Sequence, residues 1–446
     1  MTTVHLPSPL RDLVDGSAQV DVEAANVRLM VAELEARYPR LTGRVTDERG
    51  SLRPHVKIFV NGELVGLEDT IGDADEVRIL PAISGGADEA ELLVGTRKGL
   101  FVLRGPRGGP MEITGRAFEG ADVEYAIKDH RSGRYLASVT NPYYGPRVHV
   151  SDDPLTGWEQ TEGPAFPKDA DAKVERIWTI EPGVQDNVVY AGVAPAALFR
   201  SDDGGATWSL NRGLWDMPDR AKWQPGAGGL CLHSICPWPE DPDRLAIAIS
   251  AAGVWLSEDG GGSWRRGVKG LVPLYIPEDA REGAMDLCVH DMKRSPVSPD
   301  TLFMQFHGGV YRSDDAGESW NDIGVQQGLP SDFGFPLVID ATNDRRAFVI
   351  PLTGAEDRTT PDGKVRVFET TDAGENWMPR SDGLPGDNAY LTILRQAFCG
   401  DQRGGDQMGL YFGATSGDVF GSADGGATWA TAARHLPPVL SVRYSA

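Results

Sequence analysis

Three sets of residues in this chain have types and spacings that could do chemistry. The first is the tail "ISGG", Ile83 to Gly86, which runs straight into the acidic stretch "ADEAE". Glycine has no Cβ, so Gly85 and Gly86 could thread a narrow channel and let another protein's backbone approach closely. The second is a series of recurring aspartates, Asp153, Asp203, Asp259, Asp315, Asp372 and Asp424, several beside another acid, as in Asp202-Asp203. Paired carboxylates suit divalent cations or general acid–base work. The third set comes from aligning "CLHSICPWP" with "CVHDMKRSP" at an offset of 57 residues, which pairs Cys231 with Cys288 and His233 with His290. The same offset places Arg176 of "VERIWTIEP" opposite both histidines, and "ILRQAF" adds Arg395. Lys293 and Glu175 are further polar neighbours of this set.

Composition limits what these sets can serve. The 446 residues carry 65 acids against 43 Lys and Arg, a formal charge of −22. A broad basic surface for nucleic acid is therefore not expected, since phosphate contacts need clustered cations. The opening "MTTVHLPSPLRDLV" lacks the basic and apolar regions of a secretion signal, and no apolar run approaches the ~20 residues of a membrane span. The expectation is a cytoplasmic protein without membrane attachment. Cys231, Cys236, Cys288 and Cys399 form no CxxC pair, so they read as reduced, buried thiols and no metal site is assigned.

The elements that would present the glycine tail lie upstream of it. Val4 to Leu6 and Ala18 to Val22 suit short strands. Val27, Met30, Val31, Leu34 and Tyr38 recur every three or four residues, the pattern of an amphipathic helix closed by Pro39. "HVKIFVNGELV" is a hairpin about Asn61-Gly62, and "VRILPA" is a last strand ended by Pro81. Together they describe a small α+β, ubiquitin-like β-grasp roll.

"FVNGELV", "DADEVRILPAISGG" and the helix ending in "ARYP" resemble the MoaD/ThiS family of ubiquitin-fold sulfur carriers across residues 1–86. The resemblance implies that Gly86 bears the reactive carboxylate and that Gly85 is its channel-threading neighbour. It further implies an E1-like adenylating partner of MoeB/ThiF type, which uses ATP; the carrier itself holds no cofactor. Sulfur then displaces AMP to leave a thiocarboxylate, or an amine displaces it to leave an amide. Here Ala87 follows Gly86, so the carboxyl is locked in a peptide bond. Activation would require cleavage after Gly86, for which a JAMM-type protease is a candidate partner. Residues 87–91 otherwise read as an acidic flexible linker.

Beyond residue 91 the chain repeats. "SDDGGATW" from Ser201, "SEDGGGSW" from Ser257, "SDDAGESW" from Ser313, "TTDAGENW" from Thr370 and "SADGGATW" from Ser422 share one pattern, and "SDDPLTGW" from Ser151 is a degraded copy. Starts are 50 to 57 residues apart, the period of a propeller blade. The segments resemble the Asp-boxes of sialidases and other BNR-repeat propellers. The recurring aspartates are then structural, capping the N–H groups of a turn while the tryptophan packs between blades. A unit without a box, Glu91 to Arg104, brings the count to seven four-stranded blades over residues 92–446. "PPVLSVRYSA" would return to close the first blade.

Innermost strands line a propeller's channel, so Arg176, His233, His290 and Arg395 form a candidate ligand ring there. The alternative is that the histidines only bond backbone carbonyls of neighbouring blades. A sialidase-like hydrolase or carbohydrate-binding propeller is the rival reading. It would need an arginine triad, a tyrosine–glutamate pair and an F/Y-R-I-P motif, whereas Arg176-Ile177 is followed by Trp178. No catalytic residue is assigned.

Overall fold

The computed structural model describes residues 2–6, 13–14, 17, 19–42, 45–46, 50, 52, 56–61, 63–72, 75–81, 89–226 and 228–446. They fall into two compact units, Met1–Glu89 and Ala90–Ala446. Gly85 and Gly86 lie outside the described residues.

The first unit is built on a five-stranded sheet of order β2-β1-β5-β3-β4. Its strands are β1 (Thr2–His5), β2 (Gln19–Val22), β3 (Val56–Val60), β4 (Glu63–Val65) and β5 (Glu76–Pro81). The central pair, β1 and β5, is parallel, with Val4 opposite Val77; the remaining pairings are antiparallel. The helix α1 (Val27–Arg37) starts where the Asn26 side chain accepts the Leu29 N–H at 2.9 Å, and a 3-10 turn at Pro39–Leu41 follows it. Its buried face, Val27, Met30, Val31 and Leu34, packs with Val4, Val20, Val22, Ile58, Val77 and Ile79. Asn61 takes φ 52° in the two-residue turn between β3 and β4, and its Oδ1 accepts the Glu76 N–H at 3.0 Å. This is the expected β-grasp roll.

The second unit contains seven four-stranded antiparallel sheets. We number the blades by chain order of their second strands. Blade 1 combines Val439–Tyr444, innermost, with Glu89–Thr96, Gly99–Pro106 and Glu112–Ala117. The inner strands of blades 2 to 7 are Asp122–Lys128, Arg176–Pro182, Leu232–Trp238, Val289–Arg294, Phe333–Asp340 and Phe398–Gly400. Tyr444 pairs with Leu92 and Val442 with Val94, so the end of the chain supplies the inner strand of blade 1 and closes the ring as expected.

The expected linker over 87–91 is too long. Strand begins at Glu89, and Glu91 is a buried member of blade 1. Its carboxylate accepts from Tyr135 Oη at 3.1 Å, Ser445 Oγ at 2.8 Å and Arg104 Nε at 2.6 Å. An acid normally marks solvent; here Arg104 on the next strand and two donors from distant parts of the chain satisfy it.

Candidate functional site

The Asp-box turns join the third and fourth strands of blades 2 to 7. In the box from Ser201, Asp203 Oδ1 accepts the Thr207 N–H at 2.9 Å and Oδ2 accepts Thr207 Oγ1 at 2.6 Å, while the Gly205 N–H reaches Ser201 Oγ at 2.8 Å. Asp259, Asp315, Asp372 and Asp424 repeat this through Ser263, Ser319, Asn376 and Thr428. Asp153 reaches only Leu155 N and Thr156 Oγ1. The tryptophans tie blades together: Trp320 Nε1 donates to Gly267 O and Trp429 Nε1 to Arg380 O, each on the preceding blade. Every oxygen of these aspartates is aimed at its own turn, an arrangement that holds a fold rather than a substrate.

The channel is organised by a bulge that recurs on six of the seven inner strands. Register slips by a residue at Glu124, Trp178, His233, His290, Phe335 and Leu440. A bulge re-aims its side chain, and here it does so at one level of the ring. The structural counterpart of the two histidines in blade 3 is therefore Trp178, not Arg176 as the 57-residue offset implies. The offset between blades 3 and 4 is two residues shorter than between blades 4 and 5, and the repeat of bulges exposes the slip.

Arg176 and Arg395 nevertheless come to the same place, at the bulged Trp178. Their Cζ atoms lie 5.0 and 4.9 Å from the Trp178 ring. Arg176 Nε is 3.1 Å from the Glu124 carboxylate. Arg395 has no carboxylate partner among the described residues; it also lies over Phe335 at 5.7 Å, and its buried Nε has no hydrogen-bond partner. His233 and His290 bond backbone across blade interfaces, His233 Nε2 to Val289 O at 2.9 Å and His290 Nδ1 to Gly334 O at 2.6 Å. Burial, then the nearby Arg395 charge, holds both well below the usual histidine range. Glu175 makes only a backbone contact, its N–H to Ala194 O.

Three residues beyond each of the six bulges, and at Cys399 in blade 7, lies a second tier: Ile127, Glu181, Cys236, Lys293, Val338, Cys399 and Arg443, one per blade. All seven line a cavity of about 670 Å³ at the other end of the inner strands. Burial pushes Glu181 up to about 7, against the pull of Lys293 and Arg443, and pushes the Cys236 and Cys399 thiols to about 12 and 11. Lys293 lies 3.2 Å from Asp291, whose carboxylate is 1% exposed. Arg443 is fully engaged by Tyr125 Oη and the carbonyls of Gln396 and Val442. The cavity thus gathers Glu181, a carboxyl raised by burial, with the cations Lys128, Lys293 and Arg443 and a second carboxylate, Asp129. The four cysteines are free, and Cys288, expected buried, is half-buried. Among the described residues no helix is long and apolar enough to cross a membrane.

The chain thus joins a β-grasp domain to a seven-bladed Asp-box propeller. The ThiS family model matches residues 4–86, and the BNR/Asp-box repeat matches residues 199–210. The sulfur carrier protein CysO of Mycobacterium tuberculosis is 37% identical over 90 residues, which are 19% of this chain and 97% of that carrier. Through its N-terminal domain the chain belongs to the ThiS family. Among solved structures, the Amycolatopsis orientalis BexX/CysO complex matches at 32% identity over 19% of this chain and all of the matched chain, with a TM-score of 0.19. The propeller is similar to the GH74 enzyme of Niastella koreensis, with a TM-score of 0.51 and 14% identity over 77% of this chain and 55% of that enzyme, a likeness of fold.

Proposed function

We propose that this chain is the precursor of a sulfur carrier or protein modifier, with the propeller as its partner or scaffold. Cleavage of the Gly86–Ala87 bond, by a JAMM-type protease in this reading, frees the Gly86 carboxylate. A MoeB/ThiF-type enzyme joins that carboxylate to AMP from ATP and releases pyrophosphate. A sulfur donor then displaces AMP and leaves a thiocarboxylate, or an amine displaces it and leaves an amide. The carrier supplies the carboxylate and a docking surface, and its partner supplies the catalysis.

The observation that carries this reading is where the family match ends. It runs through the whole β-grasp roll and stops at Gly86. The last strand ends at Pro81, so Gly86 is the fifth residue beyond the folded domain, a reach of at most about 17 Å when extended. That is a suitable reach for delivering a terminus into another protein's site.

Intact-mass spectrometry of the protein from its own host tests the proposal. A fragment ending at Gly86, with a terminal oxygen replaced by sulfur, supports it. Gly86→Ala is expected to block activation and leave both folds intact. A single uncut chain under all growth conditions would make Gly85-Gly86 a linker and overturn the reading.

A further inference from the structure

Blade 5 gathers three metal-ligating side chains that neither the carrier reading nor the box architecture uses. Cys288 precedes the inner strand, His290 occupies its bulge, and His307 follows the second strand, where its N–H donates to Cys288 O at 2.9 Å. Cys288 Sγ and one ring nitrogen from each histidine lie within 4.8 Å of one another. His290 is 3% exposed, and its Nδ1 donates to Gly334 O at 2.6 Å. That bond fixes the tautomer and leaves Nε2 with a free lone pair, which is how metal-bound histidines are commonly oriented. The His307 ring packs against Tyr275 and Phe333, with centroids at 4.6 and 5.2 Å, and among the described residues no hydrogen bond engages its nitrogens.

The neighbouring blade provides an internal control. Blade 4 has Cys231, His233 and Ser250 at the equivalent positions, and the Ser250 N–H donates to Cys231 O at 2.9 Å just as His307 does to Cys288. There every polar atom has a partner. Cys231 Sγ lies 3.1 Å from Ser250 Oγ, and the His233 nitrogens meet Ser234 Oγ and Val289 O. Replacing the serine by histidine turns a closed hydrogen-bonded cluster into one with unused lone pairs.

We propose that Cys288, His290 and His307 bind a zinc-class divalent cation, with an open fourth position beside Arg395 that accepts a carboxylate-class anion. One thiolate and two imidazoles suit borderline-soft zinc and disfavour magnesium or calcium, and three protein ligands with an open position is the arrangement of reactive zinc sites. The Arg395 guanidinium lies over Phe335 at 5.7 Å, the ring that also packs against His290 at 4.9 Å, and has no carboxylate partner among the described residues. An anion bound to the metal would supply that partner.

The test is titration of the metal-free full chain with cobalt(II), followed by competition with zinc. Wild type is expected to bind one equivalent, with a thiolate-to-cobalt charge-transfer band and the d–d bands of a tetrahedral ion. Cys288→Ser is expected to lose the charge-transfer band. His307→Ser copies the blade 4 residue and so keeps the fold; it is expected to weaken binding at least about 100-fold, beyond the effect of an outer-shell change. Cys231→Ser should change nothing. Acetate is expected to shift the d–d bands in wild type and not in Arg395→Gln. Failure of wild type to bind either ion at micromolar concentration would overturn the site, as would unchanged binding in His307→Ser or a charge-transfer band that survives Cys288→Ser. Identical acetate shifts in wild type and Arg395→Gln would remove the anion position. None of these readouts depends on cleavage at Gly86, so the two proposals stand or fall separately.

Discussion

Arg107 and Asp401 meet at 2.6 Å across the junction of blades 1 and 7. Their side chains are 6% and 1% exposed. Arg107 donates through Nε and a terminal nitrogen to one carboxylate oxygen, and the other oxygen accepts the Gly409 N–H. Removing one partner of such a pair leaves a buried charge alone, which costs about 3–5 kcal/mol. Asp401→Ala should therefore lower the propeller's thermal transition sharply, whereas the double change Arg107→Met with Asp401→Leu should recover much of the loss. An Asp401→Ala protein that melts with wild type would show that the pair does not hold the ring.

The box aspartates make an acid-sensitive set. Hydrogen bonds within each turn lower Asp259, from an ordinary 3.8 to about 2, through Ser263 above all. Asp203, Asp315, Asp372 and Asp424 are lowered as well, the bonds to their turns outweighing whatever burial opposes them. A depressed folded value means stability that is present above about 3.8 and lost as pH falls through about 2. Melting temperature followed from pH 5 to pH 2 should fall, and Asp259→Asn should flatten part of that fall while lowering the plateau above it. Equal slopes in the two proteins would contradict this assignment.

Blade count, box role and ring closure were legible because each is written locally and repeatedly. A turn that caps itself needs only its own eight residues, and "VLSVRY" is a β-prone, mostly apolar run just after the last box. The β-grasp roll was legible for the same reason, since its helix period and its Asn61-Gly62 turn are local. What could not be read depends on register or on distant donors. Trp178 replaces Arg176 in the bulge tier because a two-residue shift between blades is invisible without the ladder. Glu91 reads as solvent-facing spacer because two of its three donors, Tyr135 and Ser445, are 44 and 354 residues away. His307 had no signal in the repeat, because its counterpart is Ser250; comparing second strands as well as first would have found it.

His233 joins blade 4 to blade 5 through Val289 O and is 1% exposed. His233→Ala leaves a cavity and a buried carbonyl without its donor, a loss of about 2–4 kcal/mol. His233→Gln carries a donor of similar reach and should regain part of it. Thermal melts at neutral pH distinguish the two. If alanine and glutamine melt alike, the inter-blade bond is not what the histidine contributes.

Glu181 should shape stability at the alkaline side. It lines the channel cavity half-buried, and desolvation raises it from 4.5 to about 7 despite Lys293 and Arg443. A raised folded value means that the native state keeps a proton which the unfolded chain has already lost. The contribution is therefore favourable below about 4.5 and declines as pH rises through about 7. Glu181→Gln keeps the shape and cannot ionise. It should match wild type near pH 5 and exceed it at pH 8, by about 1–2 kcal/mol after allowing for solvent in the cavity. A stability difference of the same size at both pH values would mean that packing, not charge, sets the effect. A variant less stable at pH 8 would mean that Lys293 and Arg443 already hold the carboxylate ionised, and the cavity would then present a closed ion cluster instead of a group ready to exchange a proton.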